Sequence, residues 1–397
     1  MFKKVDVVLW VEHKDRELAS YEEIAKILKE KYNLSTIIIS NFFHSYYLFL
    51  YRPKLVIWNN LTNNRGWPDG FMWEVYGDSL VYVSHRWEQM ITPIGEKFKA
   101  PYDDFEKQKV KFFVWNRWFK DYLVSHNVKK ENVFITGKIS NNLLYNLKSK
   151  QQEFREKFSK EFNLDINKKW LFFPMNYSWI YRDDKKIEHM ISRGYDKDIA
   201  YKLRDYSLKS FEKFKEFLKS VDKSKYEIIL RPHPSITEND CQNKLTFKVK
   251  IIKHYSVREW IIASDIIITS WSTTIYDSYH IEKLSFRFLP YELPKWFVNK
   301  SLEVVPVIKN IKELEEKLDR YIFEETSLDE NALQTFAHKV FELQQNKNST
   351  PNYFKSIKYI KNFIKYFVKD KLCKYFNCFK IPKWQHYDWF EAKEKDV

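Results

Sequence analysis

Glycine is scarce in this 397-residue chain: there are six, and none falls in a GxGxxG or Walker arrangement. Dinucleotide oxidoreductases and P-loop NTPases need glycine where backbone closes on phosphate, so neither class is expected. Cysteine is scarcer still. Cys241, Cys373 and Cys378 have no metal-like spacing with histidine and cannot pair off evenly, which points to a reducing compartment, the cytosol by default, and to no structural zinc. Long hydrophobic runs are also missing. Nowhere do about eighteen uncharged apolar residues follow one another, so no transmembrane helix is expected. The first apolar run, Val5–Val11, is too short and too soon followed by Glu12, His13 and Lys14 to be a signal peptide, and reads as a buried strand. No internal repeat is visible.

Aromatic residues and positive charge are plentiful. Aromatics make up 18% of the chain, and 68 Lys and Arg against 53 Asp and Glu give a formal charge of +15. That balance suits an anionic nucleotide, an anionic glycan, a phospholipid surface or nucleic acid, and charge alone does not choose among them. The length exceeds what one hydrophobic core usually serves, so two α/β domains of similar size with a cleft between them are expected.

The order of elements supports this. Strands at Val5–Val11, Ser35–Ser40 and Leu55–Asn59, with helices at Tyr21–Lys31 and His44–Tyr51 between them, have the rhythm of a parallel sheet and resemble one Rossmann-like half. Strands at Leu80–Ser84, Phe112–Trp115 and Val133–Thr136 continue it. A Lys/Glu-rich helix and linker, Ser149–Lys169, precede a second set: Trp170–Pro174, Ile228–Leu230, Val249–Ile252 and Ile266–Thr269, alternating with helices Ile199–Leu218 and Val257–Ala263. The division expected is 1–150, 151–310 and a polar, helical region 311–397. Within the last, lysines 358, 361, 365 and 369 recur at helical spacing beside Ile357, Ile360, Ile364 and Phe367, with Trp384 and Trp389 beyond. Residues 356–379 therefore read either as a helix lying on an anionic bilayer or as one packed on the body with its lysines in water.

Three segments carry candidate chemistry. In Arg231-Pro-His-Pro234 two prolines fix the backbone around His233 at a strand's end, and Arg231 offers a forked donor for phosphate. In Ser270-Trp-Ser-Thr-Thr274, Ser270, Ser272, Thr273 and Thr274 follow a strand and precede a helix expected at Ile275–Ile281, so hydroxyls and backbone N–H groups converge at a helix start. A turn with an ordinary salt bridge and a helix cap without ligand are the plain alternatives. Two anion-directed strand ends in one domain favour a phosphorylated donor. The third segment, Met175-Asn-Tyr-Ser-Trp179, leaves the first strand of the second domain with Asn176 and Tyr177 exposed on a loop. Among carboxylates, Asp205 and Glu88 stand out because each lies among aromatic and cationic residues outside a plain Lys/Glu face.

In that order, Phe173–Trp179, Arg204-Asp-Tyr206, Leu230–Pro234, Ser256–Asp265 and Ser270–Thr274 resemble bacterial surface-carbohydrate biosynthesis proteins and, through them, the retaining β-Kdo glycosyltransferases of lipopolysaccharide and capsule. The His-Pro and hydroxyl parts are shared with sialyl- and polysialyltransferases and with polymerases that use CDP-glycerol. The resemblance implies a GT-B architecture, two Rossmann-like domains facing across a cleft, with CMP-Kdo on the C-terminal one, no metal or other cofactor, and a lipid-linked or surface glycan as acceptor. It implies Asp205 as nucleophile of a double displacement with retention, His233 on the donor phosphate and Ser272 with Thr273 as the hydroxyl pair.

The expectation is thus a glycosyltransferase at the cytoplasmic face, peripheral on the membrane, that moves Kdo or a related acidic sugar from CMP. In it Arg231, His233, Ser270, Ser272, Thr273, Thr274, Asn176 and Tyr177 bind the donor, and Glu88 serves acceptor recognition or as base. The alternatives are a CDP-glycerol, CDP-ribitol or sialyl-type transferase, a basic nucleic-acid-binding protein, and a non-catalytic assembly protein. No RNA-binding signature is present, and nucleic acid is not an expected partner.

Overall fold

The computed structural model describes every residue except 1–2, 60, 62–63, 90, 193, 234, 300–301, 322–330, 346–349, 377–384, 386–388 and 396–397. Pro234, Cys378, Trp384 and the end of the 356–379 segment, all singled out from sequence, lie outside the described residues. The chain forms two compact units, residues 1–91, 95–143 and 329–397, and residues 92–94 and 144–328.

Unit 1 is built on seven strands: β1 (Lys3–Val11), β2 (Thr36–Ser40), β3 (Tyr51–Trp58), β4 (Val81–Ser84), β5 (Lys111–Val114), β6 (Val133–Ile135) and β13 (Lys393–Lys395). Their order is β13-β2-β1-β3-β4-β5-β6, all parallel except β13, which runs antiparallel to β2. Side chains alternate along β1. Val8 and Trp10 join Val56 and Trp58 on one face, and Val7, Leu9 and Val11 meet Tyr21, Ile24 and Leu28 on the other. Both faces are covered, which is why β1 reads as an apolar run. The helix Lys14–Tyr32 has Asp15 and Glu17 in its first turn, Lys29 and Lys31 in its last, and stops at Asn33 in the left-handed region.

Unit 2 carries β7 (Lys169–Pro174), β8 (Tyr226–Arg231), β9 (Lys250–Ile251), β10 (Ile266–Thr269), β11 (Leu284–Phe288) and β12 (Val307–Ile308), ordered β12-β11-β10-β7-β8-β9 and wholly parallel. Read from β9, this is the doubly wound order 3-2-1-4-5-6. The helix Lys197–Ser220, capped by Asp196 on the Ile199 N–H, lays Phe211, Phe214, Phe217 and Leu218 on one face of the sheet. Trp260, on the helix Val257–Ala263 begun by a Ser256/Glu259 capping box, stacks near Phe172 at 6.1 Å. Asp265 accepts from the Trp170 N–H at 2.7 Å and pairs with Arg155 at 2.9 Å. It immediately precedes β10, so it stands at the sheet edge opposite the strands' carboxyl ends.

The mixed α/β class with two Rossmann-like bodies stands as expected. Some details differ. The helix expected at His44–Tyr51 is a 3₁₀ turn, Ser45–Phe49, because the chain must straighten into β3 at Tyr51. After Pro306 the chain adds β12 before the helix Ile311–Leu318, two residues being too few for a periodic signal. Residues 329–397 belong to unit 1, whose sheet β13 extends, and include the helices Ala332–Gln344 and Ile360–Phe376. Cys241 is a free buried thiol, whereas Cys373 is disulfide-bonded, at odds with a wholly reduced chain.

Candidate functional site

In a doubly wound sheet the crevice opens at the carboxyl ends of the two strands where the winding reverses. In unit 2 those are β7 and β10. Asn176, two residues beyond β7, binds them together: with its amide oxygen turned to the donors, it accepts from the backbone N–H of Trp271, that of Ser272 and the Trp271 indole, each at 2.9 Å. The next residue, Tyr177, is 3% exposed and shares a 2.7 Å hydrogen bond with Ser270. Burial raises its phenol above the ordinary value, against the effect of that hydrogen bond. Tyr177 was expected to be exposed. Its ring packs instead between Phe211, Phe214 and Trp271, because a tyrosine on a tight loop over a helix buries its ring and needs only a partner for its hydroxyl.

Past Ser272 the helix Thr274–His280 begins. The Ser272 hydroxyl accepts from the Thr274 N–H at 3.3 Å and donates to the Thr274 hydroxyl at 3.1 Å. Two of the N–H groups expected to seat a phosphate are thus held by Asn176 and a third by Ser272. Thr273 is half-buried, and its carbonyl accepts from the Tyr276 N–H at 3.1 Å. What this corner presents is chiefly hydroxyl.

The β8 end supplies the cationic part. Arg231 is 8% exposed, and its Nη1 donates to the carbonyls of Lys253 at 2.6 Å and His254 at 3.3 Å. Part of its fork therefore fastens the loop after β9. His233 is exposed, and its Nδ1 accepts the Ser235 N–H at 3.2 Å beside the Ser235 hydroxyl at 2.8 Å. An Nδ1 that accepts puts the proton of the neutral ring on Nε2, where it can be donated. A pocket of about 430 Å³ adjoins this loop, sharing Ser235 and lined also by Arg182, Lys186, Lys244 and Asp240.

Asp205 lies in the third turn of Lys197–Ser220, its side chain 62% exposed and 3.9 Å from Arg204 Nε. Its neighbour Tyr206 turns inward, with its ring 5.7 Å from Trp271 and its hydroxyl donating to the Tyr291 carbonyl at 3.1 Å. The structure therefore gathers Asn176, Tyr177, Ser270, Ser272 and Thr274 at one corner and sets Asp205 on an outer helix face.

Unit 1 reverses its winding between β1 and β3, and a different set of groups stands there. Arg16 is ringed by Glu17 at 2.6 Å, Glu88 at 3.3 Å and Glu12 at 3.5 Å, and Asn59 ties Glu12 to the Trp87 N–H. Burial works against the guanidinium's charge, but these carboxylates outweigh it and hold its pKa above the ordinary value. Glu17 is fully buried and raised by that burial, with Arg16 opposing. Glu88 thus stands in a carboxylate cluster, its own side chain 49% exposed.

Residues 118–353, more than half of the chain, match the CDP-Glycerol:Poly(glycerophosphate) glycerophosphotransferase family. The chain belongs to that family. No curated protein matches it. Among solved structures it is similar to UDP-GlcNAc 2-epimerase of Methanocaldococcus jannaschii, at 11% identity over 85% of this chain and 99% of that one with a TM-score of 0.52. It is also similar to the wall teichoic acid polymerase TagF, at 15% identity over 93% of this chain and 90% of that one with a TM-score of 0.49.

For this glycerophosphotransferase relative, the likeness expected to β-Kdo transferases has no counterpart among these findings; the CDP-glycerol alternative does. All the expected donor residues and Asp205 fall inside the family match, and Glu88 falls outside it. Sequence reading missed the bracing role of Asn176 and the aromatic wall of Tyr206 and Trp271. Both motifs were in view, but only the adjacency of β7 and β10 brings them together. Unit 1's Glu12, Arg16 and Asn59 were missed for the same reason.

Proposed function

We propose that the protein transfers a phosphoalcohol, glycerol phosphate in the first instance, from a cytidine diphosphate donor to a hydroxyl of a surface glycan or its lipid-linked precursor. The observation that carries this reading is the family match, which covers all of residues 144–328 and with them every expected donor-binding residue. The acceptor oxygen attacks the phosphorus bonded to glycerol, the new P–O bond forms as the bond to the CMP phosphate oxygen breaks, and CMP leaves with the electron pair. The acceptor proton goes to a base.

Such a step needs positioning and hydrogen-bond donors where negative charge grows on the leaving phosphate. His233 Nε2–H and the hydroxyls of Ser272, Thr273 and Thr274 are the donors of this chain for that role, and the Arg231 guanidinium adds positive charge beneath the same loop. Asn176 and the Tyr177–Ser270 pair keep the hydroxyl corner in place. Phosphoryl transfer requires no sugar-bound nucleophile, so Asp205 has no chemical part in it. CDP-alcohols are cytoplasmic, so the reaction belongs on that side of the membrane.

The test is turnover with CDP-glycerol, CDP-ribitol and CMP-Kdo, each with a glycan acceptor, read as CMP release and product mass. CMP release coupled to gain of glycerol phosphate is the expected result. Turnover with CMP-Kdo alone, or none with any CDP-alcohol, overturns the proposal.

A further inference from the structure

One cavity of unit 2 lies outside the hydroxyl corner. It holds about 430 Å³ between the loop after β7, residues 180–186, and the loop and helix after β8, residues 235–244. That is the size of a small-ligand site, about 300–1,000 Å³, and more than a lone phosphate fills. Its lining is charged: Arg182, Lys186 and Lys244 stand in it with Asp183, Asp240 and Ser235.

The carboxylates are engaged within the chain, whereas two of the cations are not. Asp183 accepts the Lys186 N–H at 2.9 Å and stands 3.8 Å from its ammonium, which also donates to the Tyr181 carbonyl at 2.9 Å. One oxygen of Asp240 accepts the Thr237 hydroxyl at 2.7 Å, and its other oxygen is open to a ligand. Arg182 has poorer company. Its Nη1 meets the Met190 sulfur, a weak acceptor, at 2.6 Å, and its guanidinium lies 4.6 Å over the Trp179 ring. Its Nε is buried without a hydrogen-bond partner, and no carboxylate among the described residues pairs with it or with Lys244. Burial lowers the Arg182 pKa from its ordinary value, with Tyr195 opposing. A half-buried cation without counter-charge is costly, and an anion in the cavity removes that cost.

Position adds to this. The Ser235 hydroxyl stands 2.8 Å from His233 Nδ1, so the cavity adjoins the Nδ1 side of the ring and leaves Nε2 to the donor. We propose that the cavity is a second anion subsite, for a phosphate that carries a hydroxylated arm: Arg182 and Lys244 take the phosphate oxygens, and Asp240 and Ser235 accept from the arm's hydroxyls. Its part in turnover rests on the phosphoalcohol-transfer reading, but its binding chemistry does not. The ligand is then the acceptor phosphate nearest the reacting hydroxyl, or a free polyol phosphate, since both present the same groups.

Titration calorimetry of the full chain, with and without saturating CDP, tests it with glycerol 3-phosphate, inorganic phosphate and glycerol as probes. Glycerol 3-phosphate should bind with CDP present, inorganic phosphate more weakly, and glycerol not at all. Arg182→Gln, and Lys244→Gln at an exposed side chain, should each weaken glycerol 3-phosphate about tenfold, with melting temperature and CDP affinity unchanged. In turnover with CDP-glycerol, a raised KM of Arg182→Gln for an acceptor ending in glycerol phosphate, with KM for CDP-glycerol unchanged, assigns the phosphate to the acceptor. An unchanged acceptor KM with the calorimetric binding lost assigns it to a free polyol phosphate. Heat from glycerol 3-phosphate that Arg182→Gln removes, in a protein that gives none with CDP, supports the subsite and removes the donor reading. No heat with glycerol 3-phosphate, its displacement by CDP, or equal affinity in both folded variants overturns the subsite.

Discussion

The two parallel sheets reverse their winding at equivalent places and put opposite chemistry there. Unit 1 ends β1 and β3 in Glu12, Asn59 and a ring of carboxylates about Arg16, whereas unit 2 ends β7, β8 and β10 in hydroxyls, an imidazole and an arginine. A crevice lined by carboxylates repels a pyrophosphate, and one lined by hydroxyl and imidazole donors attracts it. Topology therefore offers two ligand positions, and side-chain chemistry makes the one in unit 2 the better suited to an anion.

The largest effect that can sharpen this contrast is on stability in acid. Burial presses His85, beside β4 in unit 1, down to about 3, with Arg16 adding to it. Because the folded pKa lies below the unfolded one, the neutral ring's contribution is complete above pH about 6.5 and is lost as pH falls toward 3, on the order of 5 kcal/mol in all. Melting of the wild type should drop through that window and His85→Gln should flatten the drop; parallel curves contradict it. Asp370 acts lower on the scale. Burial pushes it up, but hydrogen bonds from His44, Trp389 and Tyr46 bring it down to about 2, so its share disappears only below pH about 3.8.

Next in size is His233→Ala, which removes the Nε2 donor and should lower kcat about 100-fold with little change in Kd for CDP. A loss confined to KM shows that the ring binds without helping the leaving group. Asn176→Leu is expected to cost about 2 kcal/mol of stability by leaving the Trp271 and Ser272 N–H groups without their acceptor, and to lower activity roughly tenfold by loosening the hydroxyl corner. Differential scanning calorimetry with steady-state rates measures both. Smallest is Asp205→Asn, which should change kcat less than about twofold. A drop of several orders of magnitude restores it as a nucleophile and breaks the assignment of a phosphoryl transfer.

Much of this was legible from residue order. β1, β8 and β10 are β-branched runs that end abruptly in polar residues, so both their burial and the delivery of His233 and Ser272 to an edge could be read from spacing. Contacts across the sheet could not. Asn176 reaches the 271–272 backbone only because β7 pairs with β10, and Arg231 reaches the 253–254 carbonyls only because β8 pairs with β9. Tyr177 follows a strand and looks like a loop residue, yet a helix expected from its own periodicity covers it. β13 is three polar residues, Lys393–Lys395, whose strand character comes wholly from the open edge of β2.

Titration calorimetry with CDP measures the central claim most directly. Wild-type protein should bind CDP, with affinity reduced about tenfold by joint Ser272→Ala and Thr273→Ala substitution in unit 2 and left unchanged by Glu12→Gln in unit 1. No heat with CDP, or equal affinity in the Ser272 and Thr273 variant, contradicts a cytidylate seat at the ends of β8 and β10.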